Sequence, residues 1–319
     1  MAITLQELAG RKELLAPGHR ACGGCTGATV LRQVMLNAGE DTVVSFATGC
    51  MEVVTTIFPY TSWRNPYIHV AFENSAAVIS GAETAYRALK KRGEFPKDKK
   101  VNFIAFGGDG GTYDIGLQAL SGAMERGHNM LYICYDNEAY MNTGIQRSGA
   151  TPLGAHTSTT PVGKVKKGKE QNRKDLTAIL VAHNIPYVAQ TTPYHWRDLA
   201  NKVRKALEIE GPAFINILMP CPVGWHFDSK LGIELARIAV ECRFWPLYEV
   251  EHGKYKLNYE PKNPLPLVDW LKPQGRYKHL FKEENKWLLE KLQEYVDEQW
   301  EKLKKLCSME TSPAPSGGK

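Results

Sequence analysis

The sequence predicts an α/β fold, a doubly wound parallel sheet with a C-terminal helical extension, and three observations carry that expectation. Short apolar runs alternate with segments of helical period as far as Trp225. One run feeds directly into a glycine-rich turn, as happens where a strand passes to a helix in such sheets. Beyond Trp225 the alternation stops and the texture becomes rich in Pro, Tyr and Trp.

Taken in order, Gly27 to Ala38 has helical period behind a C-G-G-C turn, and Val43 to Phe46 reads as a strand ending in Ala47-Thr48-Gly49-Cys50. Ser75 to Lys91 is a helix of small residues able to lie close on a sheet. Val101 to Phe106 is a strand, Gly107, Gly108, Gly110 and Gly111 form the turn with Asp109 inside it, and a helix follows. Met130 to Tyr135 is the next strand and ends at Asp136 and Asn137. Ser148 to Lys174 lacks apolar period and reads as a long loop, a length that is usually functional or mobile. Its Lys164, Lys166, Lys167 and Lys169 are assigned to a solvated lid surface. Leu176 to His183, Tyr187 to Ala189, Trp196 to Leu207 and Phe214 to Leu218 resume the alternation of helix and strand, and Ser229 to Cys242 is a helix with an apolar face. Phe244 to Pro273 reads as too irregular for a second core. Glu283 to Leu306 is a long amphipathic helix with Trp287, Leu288, Leu292, Tyr295, Val296, Trp300 and Leu303 near helical spacing. It either packs on its own domain or grips a neighbouring subunit. The expected division is an α/β domain over 1–225, an extension over 226–307 and a disordered tail over 308–319.

The 319 residues suffice for one large α/β domain with an extension. No window approaches the roughly 18 apolar residues of a membrane helix, and no basic stripe interleaved with aromatics suggests nucleic acid. Seven cysteines, an odd number at irregular spacing, and no secretory signal argue against a disulfide framework and for a reduced, cytoplasmic protein.

The chemistry is concentrated in Phe106 to Gly144. Glycines let backbone N–H groups approach an anion, while Asp109 and Asn137 bring hard oxygen ligands to the ends of neighbouring strands, the set that magnesium diphosphate wants. A lone Gly-Asp-Gly is an ordinary tight turn. Here Gly108-Asp109-Gly110 is followed by about 26 residues and then Asn137, one strand-helix-strand unit, and in this it resembles the diphosphate motif of thiamine-diphosphate enzymes, of which the chain looks like the pyrophosphate-binding half.

Cys22 and Cys25 can turn toward one metal across two glycines, and Cys50 and Cys221 each follow a strand end, where parallel sheets gather their cofactors. Four thiols alone suit zinc or a [4Fe-4S] cluster equally. Beside a thiamine site a one-electron acceptor is useful and zinc is not, so the four are read as ligands of one [4Fe-4S] cluster. Cys134 reads as a core residue, Cys242 and Cys307 have no partner by motif, and His19, His69 and His128 carry no firm role.

As a set, Gly18 to Cys25, Ala47 to Cys50, Phe58-Pro59-Tyr60-Thr61, Ala71 to Asn74, residues 106–144 and Pro220-Cys221-Pro222 resemble the beta subunits of the 2-oxoacid:ferredoxin oxidoreductases, most closely the pyruvate branch. The resemblance implies Mg2+ held by Asp109, Asn137 and the Ala139 carbonyl, Asn142 as the catalytic amide at the reacting part of thiamine diphosphate, and Thr48, Gly49, Cys50, Gly108, Gly110, Gly111 and Thr143 along the cofactor. It implies CoA-dependent oxidative decarboxylation of pyruvate to acetyl-CoA and CO2, reversibly, with electrons passed to ferredoxin. The glutamate that activates thiamine belongs to another subunit, Glu73 being reserved for a structural or interface role, so the chain is expected to need alpha, gamma and delta type partners. The net charge of +6 is then either a plain solvated surface or a steering field for acidic ferredoxin and the phosphates of coenzyme A. Competing readings keep the chemistry on 2-oxoisovalerate, 2-oxoglutarate or oxalate, replace it by a non-redox thiamine lyase with structural zinc, or reduce the chain to a cofactor-free scaffold.

Overall fold

Strands form where successive side chains are buried on opposite sides, which in a sheet covered on both faces makes nearly continuous apolar runs. In the computed structural model, which describes residues 3–309, the chain runs α1 (Leu5–Ala9), α2 (Thr26–Ala38), β1 (Thr42–Ala47), α3 (Cys50–Val53), β2 (Tyr67–Val70), α4 (Ser75–Arg92), β3 (Asn102–Gly108), a π-helical turn (Gly110–Ile115), α5 (Leu117–Glu125) and β4 (Leu131–Asp136). After a long irregular segment come α6 (Leu176–Val181), β5 (Tyr187–Thr191), α7 (Trp196–Glu208), β6 (Ala213–Leu218), α8 (Pro222–Trp225) and α9 (Gly232–Glu241). The chain closes with β7 (Tyr248–Glu251), β8 (Lys254–Leu257), α10 (Leu267–Leu271) and α11 (Lys286–Ser308).

The eight strands lie in the order β2-β1-β3-β4-β6-β5-β7-β8. The first six are parallel; β7 and β8 add an antiparallel edge. Val44, Phe46, Ile104, Phe106, Ile133 and Ile217 pack with the apolar stripes of α2 and α7 on one face, and Phe103, Ala105, Tyr132, Cys134 and Phe214 pack with α4, α5 and α6 on the other. Each Val, Ile and Phe among them contributes about 1.5–3 kcal/mol relative to exposure. Cys134 is a core residue, as expected. Among the described residues no helix is long and apolar enough to cross a membrane.

Several expectations are corrected. Phe244 to Pro273 is not without structure: it holds the β7–β8 hairpin and α10, and its Trp245, Leu267, Trp270 and Leu271 belong to a third buried cluster with Trp225, Leu235, Leu288 and Leu292. The sheet is therefore not purely parallel. Lys169 is buried rather than part of a solvated lid, its ammonium donating to the carbonyls of Thr151 and Asn172, and burial lowers its pKa to about 8. Residues 148–157 are largely buried too, so the first part of that loop is an ordered wall. On α11, Leu288, Leu292, Val296, Trp300 and Leu303 face the chain's own core, whereas Trp287 is exposed. Ser308 closes α11 instead of opening a tail, and the rest of the expected tail, 310–319, lies outside the described residues.

Candidate functional site

Because β1, β3, β4 and β6 are neighbours in that order, their carboxyl ends set Cys50, Asp109, Asn137 and Cys221 in a row. Asp109 follows β3 and is fully buried; its Oδ1 accepts from the Asn137 N–H at 3.3 Å and its Oδ2 from the Ser148 hydroxyl at 2.5 Å. Burial pushes its carboxyl well above the usual carboxylate range, and neighbouring Asp136 adds to that push. The site thus holds a carboxylate that gains from a cation.

Asn137 supplies the matching feature. Its side-chain amide stands 2.8 Å from both the Ala139 carbonyl oxygen and Asp109 Oδ1, and with the nitrogen on that side it donates to both. Turned the other way, the amide would offer its oxygen, and the three groups together would then present a cation with three oxygens. An octahedron of oxygens at the distance Mg2+ demands has edges of about 2.9 Å. The donor set and its spacing fit magnesium.

The backbone of this loop is held from three sides. Glu138 adopts a left-handed φ of 68°, and its buried carboxylate takes Arg173 Nη1 at 2.8 Å and Arg276 Nη2 at 2.5 Å. Asp136 accepts from Arg173 and from Tyr113, each at 2.5 Å. Trp225 donates from its indole to the Asn137 carbonyl at 2.8 Å. Arg276 lies 4.0 Å over the Trp225 ring, so the extension itself braces the loop. The glycines of the turn are required by packing: a Cβ on Gly110 would stand 2.1 Å from the Tyr140 ring.

Cys50 and Cys221 flank the row, and with Cys22 and Cys25 they are near enough to feel one another's charge without closing around one point among the described residues. Cys25 caps α2, Cys50 begins α3 and Cys221 caps α8, so three of the four sit where helix amides favour thiolate. Cys221 Sγ accepts from the Gly224 N–H at 3.3 Å, and the Thr26 hydroxyl ties the first turn to the Pro220 carbonyl at 2.8 Å. Burial pushes the Cys50 thiol up to about 12, and charge on Cys221, Cys25 and Cys22 pushes the same way, an effect felt only between near neighbours. Cys221 rises to about 11, again chiefly through burial. Such thiols stay protonated near neutral pH unless a metal takes them. Among the described residues no three His, Cys, Asp or Glu side chains yet close around one point. The donor chemistry fits a thiolate-bound metal centre, with Cys22 exposed at its rim.

Between the two halves stands Tyr135, buried, its hydroxyl without a partner and directed at Gly49 and Gly108. Thr48 bonds His69 Nε2 at 2.8 Å. Gly111 is buried against the Phe72 carbonyl. Asn142 and Thr143 are exposed on the loop after β4, where Thr143 bonds Gln146 and Asn142 makes no hydrogen bond among the described residues. Met141 beside them packs against Gly224, which brings that loop to the Cys221 turn. His128 pairs with Glu83 at 3.0 Å, away from this row, and Glu73 is exposed. Ser148, Tyr135, Arg173, Trp225 and Arg276 were not singled out for the site by the sequence; only the polar Asp136 and Glu138 beside Asn137 hinted that the strand tip needs charged partners.

The family described as "Thiamine pyrophosphate enzyme, C-terminal TPP binding domain" matches residues 47–217. Pyruvate synthase subunit PorB of Methanocaldococcus jannaschii is 54% identical over 289 residues, 90% of this chain and 95% of that protein. PorB of Thermotoga maritima is 49% identical over 311 residues, 95% and 96%. Ketoisovalerate oxidoreductase subunit VorB of Pyrococcus abyssi is 45% identical over 296 residues, 92% and 93%. Among solved structures, the 2-oxoglutarate:ferredoxin oxidoreductase of Magnetococcus marinus shares the fold, with a TM-score of 0.54 at 22% identity, covering 70% of this chain and 79% of that one.

Proposed function

The chain belongs to the beta subunits of the 2-oxoacid:ferredoxin oxidoreductases and carries their thiamine pyrophosphate-binding domain, and from that membership we propose that it serves a pyruvate:ferredoxin oxidoreductase. The observation that carries the proposal is the gathering of Asp109 and the Ala139 carbonyl, each 2.8 Å from the Asn137 amide, between the strand ends that carry Cys50 and Cys221. When bound, Mg-thiamine diphosphate supplies the carbon nucleophile and electron sink for decarboxylation, and a [4Fe-4S] cluster supplies a one-electron acceptor.

The chain's own residues hold and isolate these groups. Asp109, Asn137 and the Ala139 carbonyl would hold the metal, and Gly108, Gly110 and Gly111 would leave a diphosphate room to approach backbone N–H groups. Cys22, Cys25, Cys50 and Cys221 would hold the cluster, and beside Cys50 lie Thr48, Gly49 and the unpartnered Tyr135 hydroxyl, a donor or acceptor in reserve. Asn142 and Thr143 lie on the open side, available to the reacting end of the cofactor and to substrate. No acid in this row suits activation of the aminopyrimidine, and Phe58 and Tyr60 are largely exposed at 93% and 75%, features that support completion by alpha, gamma and delta type subunits. Ferredoxin and coenzyme A then complete a cytoplasmic reaction.

Pyruvate is favoured because the PorB relatives are pyruvate synthase subunits; the VorB relative keeps 2-oxoisovalerate as the second substrate to try. The test is ferredoxin reduction by the anaerobically assembled complex with pyruvate, 2-oxoisovalerate and 2-oxoglutarate, each with and without coenzyme A, alongside iron and acid-labile sulfide analysis. Pyruvate should give the highest kcat/KM and need coenzyme A. Zinc in place of iron and sulfide would overturn the redox reading.

A further inference from the structure

Away from the row of strand ends, residues 162–169 carry four lysines and no acid. A tight hairpin holds three of them. Val162 pairs antiparallel with Lys167, the Gly163 N–H donates to the Lys166 carbonyl at 2.8 Å, and Lys167 Nζ reaches the Gly163 carbonyl at 3.3 Å. The base is tied down on both strands: the Val162 N–H donates to His156 Nδ1 at 3.3 Å, and His279 Nε2 donates to the Lys167 carbonyl at 2.9 Å. Behind it Gly168, at φ +90°, lies so close to the ordered wall that a Cβ would stand 2.5 Å from the Gly154 carbonyl oxygen. The tip is thus presented on an anchored base.

At that tip Lys164 and Lys166 are exposed, and Val165 between them is 91% exposed. Lys278, next to the anchoring His279, is exposed as well. Among the described residues none of Lys164, Lys166, Lys167 and Lys278 pairs with a carboxylate. Lys169 is spent on carbonyls inside the loop, and Glu170 is the one acid of 161–170. The hairpin also stands beside a thiol-bearing turn. His226 ends the α8 turn that Cys221 begins and accepts from the Gly275 N–H at 3.0 Å; the next residue, Arg276, accepts from the N–H of His156 at 3.1 Å, and His156 is what holds Val162. On α8 itself Val223 is exposed.

We propose that this hairpin is the docking element for a small acidic iron–sulfur protein, the ferredoxin of the reading above, on which this inference rests. The chemistry selects among anions. A lone phosphate wants donors converging in a pocket, whereas these ammoniums stand on a turn open to solvent. A nucleic acid wants aromatics among the charges, and 161–170 contains none. A membrane surface wants more apolar area than one valine. A protein surface rich in carboxylates answers both the separated charges and the single apolar contact, and such attraction acts mainly on the rate of encounter.

The measurement is binding of oxidised ferredoxin to the assembled complex in a flow biosensor, without substrate, at salt from about 20 to 300 mM, over which the screening length shortens severalfold. The association rate of the parent should fall at least about tenfold across that range. Lys164→Gln with Lys166→Gln should lower it at least about fivefold at low salt and meet the parent at high salt, and Lys164→Glu with Lys166→Glu should lower it further. Val165→Ser should hasten dissociation a few-fold at every salt, and KM for coenzyme A should not move. Turnover with an uncharged acceptor tests the oxidoreductase reading separately, since binding to the resting complex needs no turnover. An unchanged association rate in the Gln double variant overturns the docking. So does a raised KM for coenzyme A with ferredoxin binding intact, or failure of the variant to assemble, which would assign the lysines to a subunit contact.

Discussion

Replacing Arg276 by Met tests whether the extension braces the metal loop. Asp136 and Glu138 face Arg173 and Arg276 in a buried cluster of two carboxylates and two guanidiniums, so the substitution leaves one negative charge uncompensated. Breaking a buried pair by removing one partner costs about 3–5 kcal/mol, and losing the stack on Trp225 adds about 1 kcal/mol. Protonation of Glu138 limits the damage: burial already pushes its carboxyl upward against the pull of Arg276 and Arg173. A net loss of about 3 kcal/mol results, or on the order of 4–5 °C in the melting temperature of a chain this size. The sign of the pH dependence follows. An acid whose folded pKa is raised contributes stability below its unfolded pKa and loses it as pH rises through the folded value, so Arg276→Met should fall further behind the parent at pH 8 than at pH 6. Because Trp225 holds the Asn137 carbonyl, half-saturation with Mg2+ at fixed thiamine diphosphate should need about tenfold more metal. Glu138→Gln in the Arg276→Met background should recover part of the stability, a coupling read from the double-mutant cycle. Melting within 1 °C of the parent with unchanged Mg2+ dependence would refute the brace.

Three further outcomes follow from the same geometry. Asp109→Asn should lower the affinity for Mg-thiamine diphosphate at least 100-fold by calorimetry, since it removes the one charged ligand, while melting of the metal-free complex holds or rises because a buried carboxylate is gone. Gly24→Ala should cost about 2–3 kcal/mol by thermal unfolding, because φ is +74° and the new Cβ would stand 2.4 Å from the Ser229 carbonyl oxygen. Glu249 is pushed up by burial but held at about 2 by the Tyr187 hydroxyl, Lys205 and Asn258; a depressed acid gives stability above its unfolded pKa of about 4.3 and loses it as pH falls, so Glu249→Gln should flatten the acid limb of unfolding between about pH 4 and 2.

The parallel strands were legible because both faces of the sheet are covered, which turns β3, β4 and β6 into unbroken apolar runs. The hairpin was missed for the opposite reason. Tyr-Glu-Val-Glu and Lys-Tyr-Lys-Leu carry charges on alternate positions at a sheet edge, and their two-residue turn is His252-Gly253, with left-handed φ at both, in place of the usual Asn-Gly. Strict alternation on either side of a Gly was the available signal. At the site, Asp109 and Asn137 were legible because a polar residue ending an apolar run marks a strand tip. Ser148, Trp225 and Arg276 were not, since nothing local distinguishes them until the fold brings them to that tip. Lys169 misled by its company: three neighbouring lysines suggested a solvated face, whereas its ammonium satisfies carbonyls inside the loop.

Glu138 explains why so much of the chain converges on one strand end. A left-handed φ costs a non-glycine residue about 1–2 kcal/mol, and glycine would adopt it freely. Glycine there would free the backbone but remove the carboxylate that both guanidiniums grip, leaving Arg173 shared with Asp136 alone and Arg276 without an acid. The conformation persists because it is over-determined: Arg173 reaches it from the long loop, Arg276 from the extension, and Thr151 donates to the Glu138 carbonyl at 2.6 Å. What that strain secures is the orientation of the next carbonyl, Ala139, into the same gap as Asn137 and Asp109. Asp109 and the Ala139 carbonyl are each held 2.8 Å from the Asn137 amide by a charged frame that reaches in from the long loop and the extension, and that is why the extension beyond Trp225 belongs to the site it does not line.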